Sequence, residues 1–369
     1  MVTISLCMIV KNEEETLARC LDSVKAAVDE IVIVDTGSAD RTREIAARYT
    51  DKIYDFPWRD DFSAARNFSF GRASCDYLFW LDADDILPPQ ELEKLLTLKE
   101  TLPPGAAMVM MKYHTAFDAD GNPTFTYERE RLMRRSLRPL WTGAIHEAVG
   151  LMEPLIHADI AVHHNKLHTA DPGRNLRIFE SMIASGRILT PREQYYYGRE
   201  LYYHGNDEKA LEVLEAFLSD GSGWRQNRRD ACRDTARIYR ARNETERALT
   251  ALFRSFLFSR PCAETLCDIG ELLMQRGQYE AAVFWYTSAA AQEPDTAGGG
   301  FIAPDSYGYI PYMQLCVCYS RLGDPVLAQA YNEKAGALKP RDPSYLYNKN
   351  KFDEARQAAE TAGDAHAGS

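Results

Sequence analysis

Four strand-length apolar runs, at residues 3–10, 30–34, 52–56 and 77–81, alternate with segments whose apolar residues recur at helical spacing. Each run is β-branched or aromatic and nearly continuous in its hydrophobicity, the pattern of strands buried on both faces. Alternation of this kind predicts a mostly parallel sheet with helices on both faces, an α/β first domain. In such sheets ligands sit outside the carboxyl ends of the strands. Three polar groups fall at those ends: Lys11-Asn12-Glu13 after the first run, Asp35 after the second and Asp82-Ala83-Asp84-Asp85 after the fourth. The acids of the last group repel one another, so a cation or a hydrogen-bonding ligand is expected beside them, unless Asp84 or Asp85 only caps the helix that begins near Pro89.

The turn after the first strand carries three glutamates and no glycine, which disfavours a dinucleotide fold, where backbone must approach a pyrophosphate. A diphosphate would have to be held through a cation at Asp82 and Asp84. Asp35, a lone carboxylate, suits a base N–H or a ribose hydroxyl. The formal net charge of −11 in 369 residues excludes a general nucleic-acid binder. The arginine-rich segment 129–138 lacks interleaved aromatics and does not change that reading. No apolar run reaches the roughly 18 residues of a membrane span, and the first apolar run has no basic region ahead of it, so a cytoplasmic protein is expected. The eight cysteines are scattered, without a CxxC pair, and read as packed thiols.

Behind this half, from about residue 186, the composition turns to helix formers. Four segments align on Ala210, Ala248, Ala282 and Ala328, each preceded by a turn at Gly205, Asn243, Gly277 or Gly323. Their spacing brackets the ~34-residue period of tetratricopeptide repeats, with an insertion at 296–306 in the last interval. Domains are therefore expected at 1–185, 186–350 (all-α, tetratricopeptide-like) and a fraying tail at 351–369. The repeat face would grip a peptide acceptor or a second subunit, giving a homodimer.

The succession Cys7-Met8-Ile9-Val10-Lys11-Asn12-Glu13-Glu14, Val32-Ile33-Val34-Asp35-Thr36-Gly37-Ser38-Ala39-Asp40, Ala65-Arg66-Asn67 and Leu81-Asp82-Ala83-Asp84-Asp85 resembles the ordered signatures of family-2 glycosyltransferases of the GT-A fold. With Gly143-Ala144-Ile145-His146-Glu147 and the repeats behind it, the chain is similar to the branch holding the sublancin-type peptide S-glycosyltransferases. One departure is Ala39, where that branch commonly has threonine. The resemblance implies an inverting hexosyltransferase using a nucleotide sugar, with UDP-glucose or UDP-N-acetylglucosamine the default donor and a peptide, protein or glycan acceptor. It implies that Val10 and Glu13 line the nucleotide, that Asp35 reads the base, and that Arg66 and Asn67 approach sugar and phosphates. Asp82 would meet ribose or the metal through water, Asp85 would be a cap or sugar contact, and Arg131 would touch diphosphate or acceptor. Asp84, joined by His163, would hold Mn²⁺ or Mg²⁺. Glu147 would be the general base, with His146 an alternative base or orienting partner. Two other readings remain at this stage: a sugar-phosphate nucleotidyltransferase, which the KNEEE turn contradicts, and a repeat scaffold with a nucleotide-binding domain.

Overall fold

The computed structural model describes residues 1–167, 171–296 and 298–367. The chain forms two compact units, Met1–Gly223 with Thr296–Phe301, and Trp224–Asp295 with Ile302–Ser369. The first unit opens with β1 (Ile4–Val10), α1 (Leu17–Val24), β2 (Glu30–Asp35), α2 (Thr42–Ala46), β3 (Ile53–Asp55), α3 (Phe62–Phe70) and β4 (Tyr77–Trp80). There follow β5 (Asp85–Ile86), α4 (Pro89–Thr101), β6 (Met108–Phe117), β7 (Pro123–Arg134), β8 (Trp141–Thr142), β9 (Ala148–Val149) and β10 (Leu155–His164). Helices α5 (Arg174–Ala184), α6 (Pro191–Tyr203) and α7 (Asp207–Asp220) complete it.

Eight strands make one sheet in the order β3-β2-β1-β4-β7-β6-β10-β5. β1 pairs in parallel with β2 and β4, and β2 with β3, as the alternating pattern predicts. β7 then runs antiparallel to both β4 and β6, so the sheet is mixed, with its parallel half carrying the polar strand ends. The core on one face gathers Leu6, Met8, Leu17, Leu21, Phe79, Leu95 and Val162, all almost fully buried. On the other face Trp80 and Trp141 meet edge to face at 5.1 Å. Residues 118–122 form the β6–β7 turn, with Asp118 Oδ1 accepting from the backbone N–H groups of Asp120 and Asn122.

Two buried carboxylates pin the sheet. Glu30 accepts hydrogen bonds from Ser5 Oγ, Lys52 Nζ and the Ser74 backbone and hydroxyl, which joins β1, β2 and the approaches to β3 and β4. Burial opposes its charge, but these donors outweigh it and hold the carboxyl at about 2, below its ordinary 4.5. Asp85 pairs with Arg131 at 3.1 Å, and neither side chain is exposed at all. A β-bulge creates this pairing: Val109 faces Leu132 and Met110 faces Glu130, leaving Arg131 as the extra residue. Its guanidinium lies 3.9 Å from the Trp80 ring and 4.4 Å from that of Tyr113. The expectation that Arg131 touches diphosphate or acceptor, and Asp85 the sugar, is thus corrected, since both are sealed inside the sheet.

The second unit is built of helix pairs: α8 (Arg225–Ala241) with α9 (Thr245–Arg254), α10 (Ala263–Gln275) with α11 (Tyr279–Ala290), and α12 (Tyr309–Arg321) with α13 (Pro325–Leu338). Ala248, Ala282 and Ala328 are wholly buried where each second helix meets its first. A Cβ on Gly270 would come within 2.8 Å of the Tyr286 ring, which shows how close α10 and α11 run. Asn243, at φ 59, turns left-handed where the next two turns use Gly277 and Gly323. The last helix, α14 (Pro343–Ala367), continues through the segment expected to fray, in keeping with its alanines, glutamates and lysines. The first unit extends past the expected boundary at 185 because α6 packs His146 and Phe179 against its tyrosines. Among the described residues no helix is long and apolar enough to cross a membrane.

Two substitutions probe the pinning carboxylates. Because the Glu30 carboxyl is depressed in the folded state, its contribution is present above pH about 4.5 and lost as the pH falls toward 2. Glu30→Gln should therefore cost about 1–3 kcal/mol at pH 7 in urea unfolding and much less at pH 3; a gap independent of pH would refute this. Asp85→Ala strands the buried guanidinium and should cost about 3–5 kcal/mol, with part recovered in Asp85→Leu/Arg131→Met. An Asp85→Ala protein as stable as the parent would contradict the role given to the pair.

Candidate functional site

The rim begins where β1 and β2 end side by side, Val10 opposite Asp35. Val10 is buried, and its carbonyl accepts from the backbone and hydroxyl of Thr36 at 2.9 and 3.1 Å. Asn12 adopts φ 55, and its Oδ1 accepts from Ala39 N, so the two loops brace each other. Because that contact runs through the backbone of Ala39, a threonine side chain is not needed for it. Glu13 donates its backbone N–H to Thr42 Oγ1 at 2.7 Å and accepts from Thr16 Oγ1 at 2.6 Å. Asp35 Oδ1 accepts from Gly37 N, Ser38 N and Ser38 Oγ, and Oδ2 faces Arg43 at 3.4 Å. Asp35 thus shapes the Gly37–Ser38 turn.

Beside this rim the fourth strand delivers its acids. Asp85 is the hub below: it accepts from Asp82 N at 3.0 Å and Tyr113 Oη at 2.7 Å as well as from Arg131. Asp82 and Asp84 are thereby held above it. Asp84 Oδ1 lies 3.4 Å from Nδ1 of His164, and Tyr113 Oη lies 2.9 Å from the same nitrogen. The imidazole beside the acids therefore belongs to His164, and the expectation for His163 is corrected. Neighbours in a strand point to opposite faces, and His163 packs instead against His114 and Phe117 at 5.3 and 4.9 Å.

The electrostatics of this corner call for positive charge. Burial, aided by Asp82, Asp85 and Glu13 and opposed by His164, pushes Asp84 up to about 6. For His164, burial works against the charged form, yet Asp85, Asp84 and Asp82 prevail and raise it. Donor atoms of Asp84, Asp85 and His164 fall within 4.8 Å of one another. A set of hard carboxylate oxygens with one imidazole fits Mn²⁺ or Mg²⁺, with Asp84 and His164 as the more accessible donors.

Arg66 ties this corner to the His146-Glu147 loop. Its Nη2 donates to Asp82 Oδ1 at 2.7 Å and its Nε to Glu147 Oε1 at 2.6 Å. The guanidinium lies against both Trp80 and Trp141, 4.5 and 5.0 Å from their ring centres. Asp82 is held at about 2: burial opposes its charge, but Arg66 and Arg131 overcome that. Asn67, the next residue, brackets the backbone of Trp141, accepting from its N–H at 2.8 Å and donating to its carbonyl at 3.0 Å. Asn67 is thus a brace for the loop, where the sequence suggested a sugar contact.

Along that loop Gly143 has φ 94 and His146 φ 50, so the chain turns left-handed just before Glu147. His146 presents Nε2 to Glu200 Oε1 at 3.1 Å and stacks on Tyr196. Arg129 donates to the Glu147 carbonyl at 3.3 Å. The structure thus unites Arg66, Asp82, Asp84 and Glu147 at one end of the sheet, with Val10, Glu13 and Asp35 on the adjoining strand ends. It adds His164, Tyr113, Arg129, Tyr196 and Glu200. Of these, only Arg129 and His164 had a signal in the sequence, as part of the arginine run and the histidine pair.

The model of the family described as "Glycosyl transferase family 2" matches residues 5–156. A TPR repeat-containing protein of Synechococcus elongatus is 33% identical over 222 residues, covering 60% of this chain and 49% of its own length. The SPbeta prophage-derived glycosyltransferase SunS of Bacillus subtilis is 24% identical over 242 residues, covering 59% of this chain and 54% of its own. The chain therefore spans about half the length of these curated relatives. Among solved structures, glucosyl-3-phosphoglycerate synthase of Mycobacterium tuberculosis, in complex with Mn²⁺ and UDP-glucose, covers 51% of this chain and 81% of its own, with 18% identity and a TM-score of 0.36. Residues 5–156 thus match glycosyl transferase family 2, and helical repeats follow that stretch.

Proposed function

We propose that the first unit is an inverting hexosyltransferase that moves a sugar from a uridine diphosphate donor to a hydroxyl or thiol of a peptide, protein or glycan. The observation that carries this reading is Arg66, whose one guanidinium joins Asp82 of the acid corner to Glu147. Donor diphosphate and acceptor are thereby brought to adjoining places. Val10, Glu13 and Asp35 face the nucleoside, with Asp35 exchanging its turn contacts for the base. Asp84 and His164 hold a divalent cation, which when bound supplies positive charge to the diphosphate leaving group.

Glu147 is the proton acceptor. Arg66 engages Oε1, which fixes the carboxylate and leaves Oε2 for the acceptor proton. As that proton moves to Glu147, the acceptor oxygen or sulfur bonds to the anomeric carbon. The anomeric C–O bond to the diphosphate breaks, and its electron pair leaves with the nucleoside diphosphate. Attack from the face opposite the leaving group inverts the centre. His146 is the second choice of base, since its Nε2 is directed at Glu200 and its ring stacks on Tyr196.

The test is UDP-glucose and UDP-N-acetylglucosamine hydrolysis with Mn²⁺, water standing in for the acceptor. Glu147→Gln should lower turnover by about 10²–10⁴-fold with donor affinity little changed. Asp84→Ala should weaken Mn²⁺-dependent UDP binding and remove the thermal stabilisation that UDP and Mn²⁺ give together. If no uridine nucleotide stabilises the parent protein and no hydrolysis is seen, the reading falls.

A further inference from the structure

Helix α6 lies beyond the residues that match the family, yet one of its faces is directed at the catalytic loop. Arg192, Tyr196 and Glu200 are spaced four apart and so share that face. All three meet His146. Arg192 Nε donates to the His146 carbonyl at 3.0 Å. The Tyr196 ring stacks on the imidazole with centres 4.0 Å apart and planes at 11°. Glu200 Oε1 takes Nε2 at 3.1 Å, and Asn175 of α5 donates to the same oxygen at 3.0 Å, which fixes the carboxylate in turn.

His146 needs this support. A non-glycine residue at φ 50 is in an unfavourable region and stays there only where its surroundings over-determine it. The turn has a consequence for its neighbour: the imidazole is directed to α6 while the Glu147 carboxylate is directed to Arg66. Were His146 to relax, Glu147 would lose that aim.

We propose that Arg192, Tyr196 and Glu200 are positioning residues, a rack on α6 that holds His146 in its left-handed turn and so sets Glu147 against Arg66. This rests on Glu147 being the base. It makes the helix that the sequence assigns to the repeat region a working part of the transferase unit.

The experiment uses the full chain and compares Glu200→Ala with Glu200→Gln. Two readouts are taken: steady-state hydrolysis of UDP-glucose with Mn²⁺, and backbone hydrogen exchange across residues 143–149. Glu200→Ala should lower kcat by about 10–100-fold with donor KM within about two-fold, and speed exchange in that loop. Glu200→Gln, which keeps an acceptor oxygen for Nε2, should restore most of both. Parental kcat and exchange in Glu200→Ala would overturn the proposal, as would a raised KM at unchanged kcat. If the parent itself turns over neither UDP-glucose nor UDP-N-acetylglucosamine, the assignment of Glu147 fails and exchange alone decides the rack: faster in Glu200→Ala supports it, unchanged refutes it.

Discussion

The end of the sheet depends on one fully buried carboxylate. An ionised Asp85 cut off from water would be prohibitive on its own, and it is stable here because Arg131, Tyr113 and the backbone of Asp82 all direct hydrogens at it. Those three donors sit on β7, on β6 and just past β4. Satisfying one charge therefore sets the mutual placement of three elements, and His164 on β10 comes within 3.3 Å of the same carboxylate. Asp82 and Asp84 inherit their positions from it.

Above this hub a second charge network is organised around flat cations. Arg66, Arg129 and Arg131 all lie against Trp80, at 4.5, 4.8 and 3.9 Å from its ring. Lysine could not replace them, since the guanidinium lies on indole while its edge donates to more than one acceptor, in Arg66 to two carboxylates. An acidic chain thus concentrates arginines where its acids are densest. The result is a site in which Asp82 and Glu147 are held by one rigid side chain, so the two halves of the proposed chemistry move together.

The sequence made the strands, the acid cluster and the repeats legible because each depends on spacing. Buried runs mark strands, strand ends mark the rim, and recurring alanines mark helix crossings. What it hid was direction. His163 and His164 are chemically the same, and only the pairing of His164 with Asp85 across β10 and β5 decides which one faces the acids. Arg131 was expected to touch ligand through the resemblance, and a bulge, invisible in composition, turns it inward. Asn67, through the family resemblance, and Asp35, as a lone carboxylate, were expected to be ligand groups, while the fold gives both of them backbone partners. Glu200 had no signal at all, being 54 residues from the histidine it meets, in a segment that reads as a repeat.

That last case bears on where the first unit ends. Composition changes near residue 186, and a boundary there is natural if a domain is a stretch of one periodicity. Packing follows a different rule: a segment belongs with whatever buries its apolar and polar side chains. Tyr196 and Glu200 are buried against the His146 loop, and Phe301, from the insertion between the last repeats, stacks on Phe125 at 5.4 Å and meets Tyr127 at 5.1 Å. Tyr127 in turn lies against Tyr113, one of the donors to Asp85. Two excursions from the repeat sequence therefore lead to the side chains at the two halves of the site, α6 to His146 directly and Phe301 to Tyr113 through Tyr127. A transferase domain cut at the change of composition would keep every motif and lose both supports.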